Sequence, residues 1–143
     1  MSVTFAAPKR LENFTKLMNA LKSGESVNLV IDYGKCKLMI DGKEEAAPKA
    51  IGGVTLSPWE YFAPGVINNK LAYVVGSETH LISSQKYKFV YNYVRTRIYE
   101  DGSVEITARY MTTNDYTIVM DETFKGFLSN GKDENAVSAF IKN

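Results

Sequence analysis

Tyr91, Tyr93, Arg95 and Arg97 occupy alternate positions in one short stretch of this chain, and Tyr110 follows a turn later. An arginine fork grips a carboxylate or phosphate through paired hydrogen bonds, and tyrosines beside it supply flat rings and hydroxyls. A period of two puts such residues on one face of a strand, where together they could hold an anion. The same side chains also have a purely structural use. Arginines on a sheet pair with carboxylates, here Asp121 or Glu122 of the following strand, or lay their stems over apolar surface. A second group is Trp59, Tyr61 and Phe62, bracketed by Pro58 and Pro64. A stiff loop would present these rings either as stacking groups at a pocket mouth or as an apolar plug at one end of a β-structure.

Other chemistry is sparse. Cys36 and His80 are each the only residue of their type, which excludes an internal disulfide and a multi-cysteine zinc site. Spacing supports neither a histidine-based metal centre nor a Cys–His hydrolase, although Cys36 and His80 are free to meet in space. The nucleophile elbow G-x-S-x-G, a phosphate-binding glycine loop, H-E-x-x-H and an EF-hand loop are all missing. Glu100, Asp101, Glu105, Asp121 and Glu122 read as a charged turn and strand edge. The sequence therefore predicts no cofactor and favours a binding protein over an enzyme. The enzymatic alternative would use Asp32, Glu60 or Glu78 as acid or base beside tyrosine and arginine groups.

The elements that position these residues follow from alternation and turn signals. Tyr87 to Lys125 reads as three antiparallel strands, joined at Asp101-Gly102 and at Thr112-Thr113-Asn114-Asp115. A two-residue type I′ turn at Asp101-Gly102 would place Tyr93 opposite Tyr110 and Arg97 opposite Ile106, with both arginines and all three tyrosines on one face. Pro8 to Lys22 reads as a helix with an apolar stripe of Leu11, Phe14, Met18 and Leu21, ended by Ser23-Gly24. Val27 to Tyr33 and Lys35 to Asp41 read as a hairpin, followed by a polar loop through Pro48. Gly52-Gly53 mark a bulge or a close backbone approach, and Gly76 marks a bulge between two strands. Leu71 to Ser83 adds one or two strands, and Val137 to Ile141 fits either a last strand or a helical turn. About seven or eight strands result, which predicts an antiparallel barrel or curved sandwich with an N-terminal helix. An open α+β sheet is the alternative.

Size and charge bound the rest. A chain of 143 residues with 45% hydrophobic and 23% charged residues fits a single globular domain over residues 1–143. Seventeen basic against sixteen acidic residues leave a net charge of +1, so no field argues for nucleic acid. No apolar run approaches the ~18 residues needed to span a bilayer, and a soluble chain is expected. Thr4-Phe5-Ala6 before Ala7-Pro8 is like the end of a signal peptide, with small residues at the cleavage position. Met1-Ser2-Val3 either stands in place of a trimmed signal or the match is chance.

Several long segments carry a family likeness. "VIDYGKC" (Val30 to Cys36), "AIGG" with "WEYFAPGV" (Trp59 to Val66), "YNYVRTRIYEDGSVEITARYM" (Tyr91 to Met111) and "MDETF" (Met120 to Phe124) resemble the bacterial VirK family from about Val27 to Asn130. The resemblance implies a small exported protein linked to virulence or host interaction. It supplies no reaction and no catalytic residues. The expectation is a protein acting outside the bacterial cytoplasm on a host or envelope partner or a small ligand, its oligomeric state open.

Overall fold

The computed structural model describes residues 6–142. Met1 to Phe5, and with them most of the signal-like segment, lie outside the described residues. The described chain is mainly β, with one α-helix and two antiparallel sheets. The strands are β1 (Lys9–Leu11), β2 (Asn28–Asp32), β3 (Lys37–Ile40), β4 (Lys43–Glu45), β5 (Ile51–Thr55), β6 (Trp59–Phe62), β7 (Tyr73–Ser84), β8 (Lys88–Tyr99), β9 (Ser103–Thr112), β10 (Ile118–Phe127) and β11 (Val137–Ile141). A small sheet runs β1-β11-β2-β5 and a large one β4-β3-β10-β9-β8-β7-β6. No barrel closes, because the large sheet keeps open edges at β4 and β6. Leu29, Ile31 and Val137 of the small sheet, Val74, Ile98 and Ile106 of the large one, and Leu17 and Leu21 of the helix are buried in one shared core.

The helix, α1, spans Phe14–Lys22, shorter than expected. Asn13 begins it, its side chain accepting from Lys16 N at 2.9 Å, the ordinary way to satisfy a helix's first donors. The residues expected as its first turn instead form β1, which pairs with β11 and buries Leu11. The expected hairpin of Val27 to Asp41 is also absent. β2 pairs with β11 and β5, and β3 pairs with β10 and β4. A 3-10 turn at Tyr33–Lys35, opened by Asp32 Oδ1 accepting from Gly34 N at 3.1 Å, carries the chain from one sheet to the other. The type I′ hairpin lies at Asp41-Gly42, where both residues have positive φ, 51° and 76°, and what was expected as loop begins with β4.

The long meander stands as expected, but its first register differs by one residue. Asp101 Oδ1 accepts from Ser103 N at 2.9 Å and Oγ at 2.6 Å, and Gly102, at φ 87°, donates to Tyr99 O at 2.9 Å. Glu100, Asp101 and Gly102 thus make a three-residue loop with glycine in the left-handed position. Arg97 consequently faces Glu105, Tyr93 faces Arg109, and Tyr110 faces Asn92. One residue of slip reverses a strand's faces, so Tyr110 lies on the core side of the large sheet, away from Tyr91, Tyr93, Arg95 and Arg97. At the expected close approach, a Cβ on Gly52 would come within 2.9 Å of Tyr33, whereas the bulge expected at Gly76 is absent and a Cβ there would come within 2.8 Å of Leu56. β7 runs unbroken through Gly76.

Candidate functional site

The outer face of the large sheet, turned away from the core, gathers the residues with chemical potential. Alternation along β8 places Arg97 and Tyr99 there, and the β7–β8 register puts Tyr73 directly opposite Tyr99. β6 brings Phe62 opposite Tyr73. The rings form a row, with Phe62 5.3 Å from Tyr73 and Tyr73 5.4 Å from Tyr99 between centroids. The Arg97 guanidinium lies 5.1 Å from the Tyr73 centroid, a cation–π contact. Arg97 Nε is buried with no hydrogen-bond partner in the described residues. Burial works against the Arg97 charge, but Tyr99, Tyr73 and Glu105 favour it, and the net shift is upward.

A loop walls this row. Asn69 pins it, its side-chain amide donating to Ala63 O at 3.0 Å and Leu71 O at 2.8 Å while its oxygen accepts from Ile67 N at 3.1 Å. Two open concavities of about 480 and 490 Å³ meet at Leu71 and Tyr99. Arg97 and Lys70 line one, and Lys37, Lys125 and Phe127 line the other, where Glu105 is the one carboxylate among the lining residues. Glu105 lies 3.9 Å from Arg95, and Lys37 has a loose, exposed partner in Glu44 at 3.8 Å. Four cations against one carboxylate make this groove locally basic on a nearly neutral protein.

The remaining candidates are dispersed. Arg95 donates to Thr107 Oγ1 at 3.2 Å, whereas Asp121 pairs with Arg109 at 3.2 Å and not with the expected arginines. Tyr91 and Tyr93 lie farther along the outer face, Tyr91 stacked on Tyr116 with centroids 5.9 Å apart. Trp59, Tyr61 and Phe62 form a strand, not a stiff loop, because β7 supplies backbone partners for all of β6. The strand sends Trp59 and Tyr61 to the side opposite Phe62. Trp59 packs against the core, and Tyr61 lies beside Phe14 at 6.5 Å and Lys22 at 5.3 Å. Tyr73 and Tyr99 were missed as site residues. Tyr99 shares the parity of Arg97, which was a readable signal, but Tyr73 and the Leu71 wall depend on cross-strand register and loop folding.

The enzymatic alternative has one meeting of groups, Glu78 and His80 at 3.3 Å. They sit on an exposed strand edge, and the crevice beside Glu78 holds only about 10 Å³, the room of a single water. Asp32 caps the 3-10 turn and Glu60 is exposed on the outer side of β6. Cys36 is buried against the Asp32 backbone. Among the described residues no cluster of three metal-ligating side chains occurs.

Residues 10–116 match the protein family described as VirK protein. The chain belongs to the VirK family. A crystal structure of a VirK family protein from Legionella pneumophila aligns at a TM-score of 0.68 and 16% identity, covering 92% of this chain and 98% of that one. At that identity the likeness speaks for the VirK fold alone. No curated protein matches the chain. No helix among the described residues is long and apolar enough to cross a membrane.

Proposed function

We propose that this VirK family chain is an exported, non-enzymatic binding protein that takes an anionic group in the groove centred on Tyr99. The group is presented by a host or envelope protein or by a small ligand, and the protein acts in virulence. The observation that carries the reading is the basic groove itself: Arg97, Lys70, Lys37 and Lys125 surround an aromatic floor with one carboxylate among them. The Arg97 guanidinium lines the concavity, and its charge and planar fork suit an incoming carboxylate or phosphate oxygen. The concavity volumes fall within the range of small-molecule sites. Export is supported by the small residues around Ala6 and Ala7 and by the family resemblance. Trp59 to Phe62, the other candidate, contributes through Phe62 on the groove side.

Titration with polyglutamate, inorganic phosphate and citrate, followed by tyrosine fluorescence and thermal shift, tests the proposal. Saturable, salt-sensitive binding that Lys70→Ala and Lys125→Ala weaken is expected. Wild-type protein that binds none of the three probes would sink it. So would reproducible turnover of a substrate that depends on Glu78 and His80.

A further inference from the structure

β7 outruns its neighbour. β6 pairs with it only from Tyr73 to Gly76, while β8 stays paired along its whole length to Ser84. From Ser77 to Ser84 one edge of the large sheet is therefore open among the described residues. Glu100 N donates to Ala72 O across the β7–β8 ladder. By strict alternation the even-numbered residues of β7 bond towards β8, and Ser77, Thr79, Leu81 and Ser83 aim their N–H and C=O groups outward.

The other edge strands are shorter, β6 having four residues and β5 five. β4 is Lys43-Glu44-Glu45, β5 carries Gly52-Gly53, and β1 is three residues long with Lys9 and Arg10. Where β10 outruns β3, a register shift between Ile118 and Met120 distorts it. The open part of β7 has no proline, glycine, lysine or arginine, and its Leu81 is 59% exposed. Such an edge is a template for another strand.

We infer that this edge joins a second copy of the chain, β7 pairing antiparallel with β7 about a two-fold axis at His80. This register is favoured because it uses every outward group. Ser77 meets Ser83, and Thr79 meets Leu81, each twice, giving about eight backbone hydrogen bonds. The two Leu81 side chains become diagonal neighbours, which covers apolar surface now in water. The edge's own charge pattern also matches itself. Glu78 of each copy lies diagonal to His80 of the other, so an acid meets a base and no like-charged pair is created by Lys or Arg. Val54, Thr55 and Leu56 of the small sheet share a crevice with Gly76, Ser77 and Glu78 at the near end of the edge, and Thr79, His80 and Leu81 beyond it are exposed.

Sedimentation equilibrium over a concentration series, with disulfide trapping, tests the inference. His80 faces itself across the axis as a non-hydrogen-bonded pair, with Cα atoms about 4.5 Å apart, inside the range a disulfide spans. On a Cys36→Ala background, His80→Cys should oxidise to a covalent dimer and Ser77→Cys should not. Thr79→Pro removes only an outward donor, and should weaken dimerisation at least tenfold while leaving the melting temperature of the dilute protein unchanged. Wild-type protein that stays monomeric at every concentration would overturn the inference, as would a dimer indifferent to Thr79→Pro. Cross-linking of Ser77→Cys as fast as His80→Cys would overturn the register. Co-sedimentation of an unrelated extended peptide with a monomeric wild type would assign the edge to a foreign strand instead.

Discussion

Arg97 and Arg95 are two residues apart on one strand face, yet removing their charges should move stability by different amounts. Arg97→Met takes away a buried Nε that has no partner, and an unsatisfied polar group of this kind costs about 1–3 kcal/mol. It also removes the contact over Tyr73 at 5.1 Å, worth about 0.5–1 kcal/mol, and the Tyr99 hydrogen bond and Glu105 attraction that favour the charge, worth about 1 kcal/mol more. The losses and the gain nearly cancel, so the net effect lies within about 1 kcal/mol of zero, or a melting temperature moved by no more than about 3 °C in a chain of this size. Arg95→Met instead leaves the buried Thr107 hydroxyl without its donor and Glu105 without its ion pair. A loss of about 1–2 kcal/mol should follow. Thermal melts of the two variants beside wild type, with a polyglutamate titration of each, complete the comparison. If the groove reading holds, Arg97→Met loses about tenfold or more in affinity. Equal destabilisation by both variants would refute the reasoning, because Arg97 would then be as structurally engaged as Arg95. So would an Arg97→Met protein that binds as wild type does.

Trp59→Ala should lower stability by about 2 kcal/mol, since the ring is half-buried against the core, and leave polyglutamate affinity intact; loss of affinity in a folded variant would return Trp59 to the site. Acid should destabilise the protein partly through Asp101, whose carboxyl is held below its ordinary range by the Ser103 hydroxyl and backbone N–H. Its contribution is complete above the unfolded value of about 3.9 and disappears as pH falls through the lower folded value, so Asp101→Asn should lose less melting temperature between neutral and acid pH than wild type does. Burial, and then the neighbouring Asp32, push the Cys36 thiol upward. A disulfide reagent at neutral pH should label it only as fast as the protein opens, and labelling at the rate of a free thiol would show that the Cys36 environment is misread.

The meander of β8 to β10 was readable because its strands alternate and its turns carry turn residues. Its register was not, because one side-chain oxygen on Asp101 selects the three-residue loop, and Asp-Gly alone is compatible with either turn. The separation of β2 from β3 was hidden for a different reason. Their partners, β11 and β10, lie far along the chain, and the compact turn at Tyr33–Lys35 resembles a hairpin connection in sequence. Prolines on either side made Trp59 to Phe62 look like a loop, whereas pairing with β7 decides its conformation. Arg97 could be singled out from spacing with Tyr91 and Tyr93. The residues that complete its groove, Leu71 with Tyr73 and Lys125, come from two other segments, and only tertiary pairing brings them together.

The position of β11 has a consequence for the order in which the protein is made. It fills the lane between β1 and β2, so the first and last strands of the chain are neighbours, Lys9 beside Ile141. Until Val137 to Ile141 leave the ribosome, β1 has no strand to pair with and β2 lacks one flank. Leu29 and Ile31 then remain without the Val137 and Ala139 surface that helps to bury them in the finished core. Pairings this distant in sequence also form slowly. A nascent VirK chain is therefore kept from early closure by its own topology. The polypeptide remains pliable during synthesis and locks when β11 arrives.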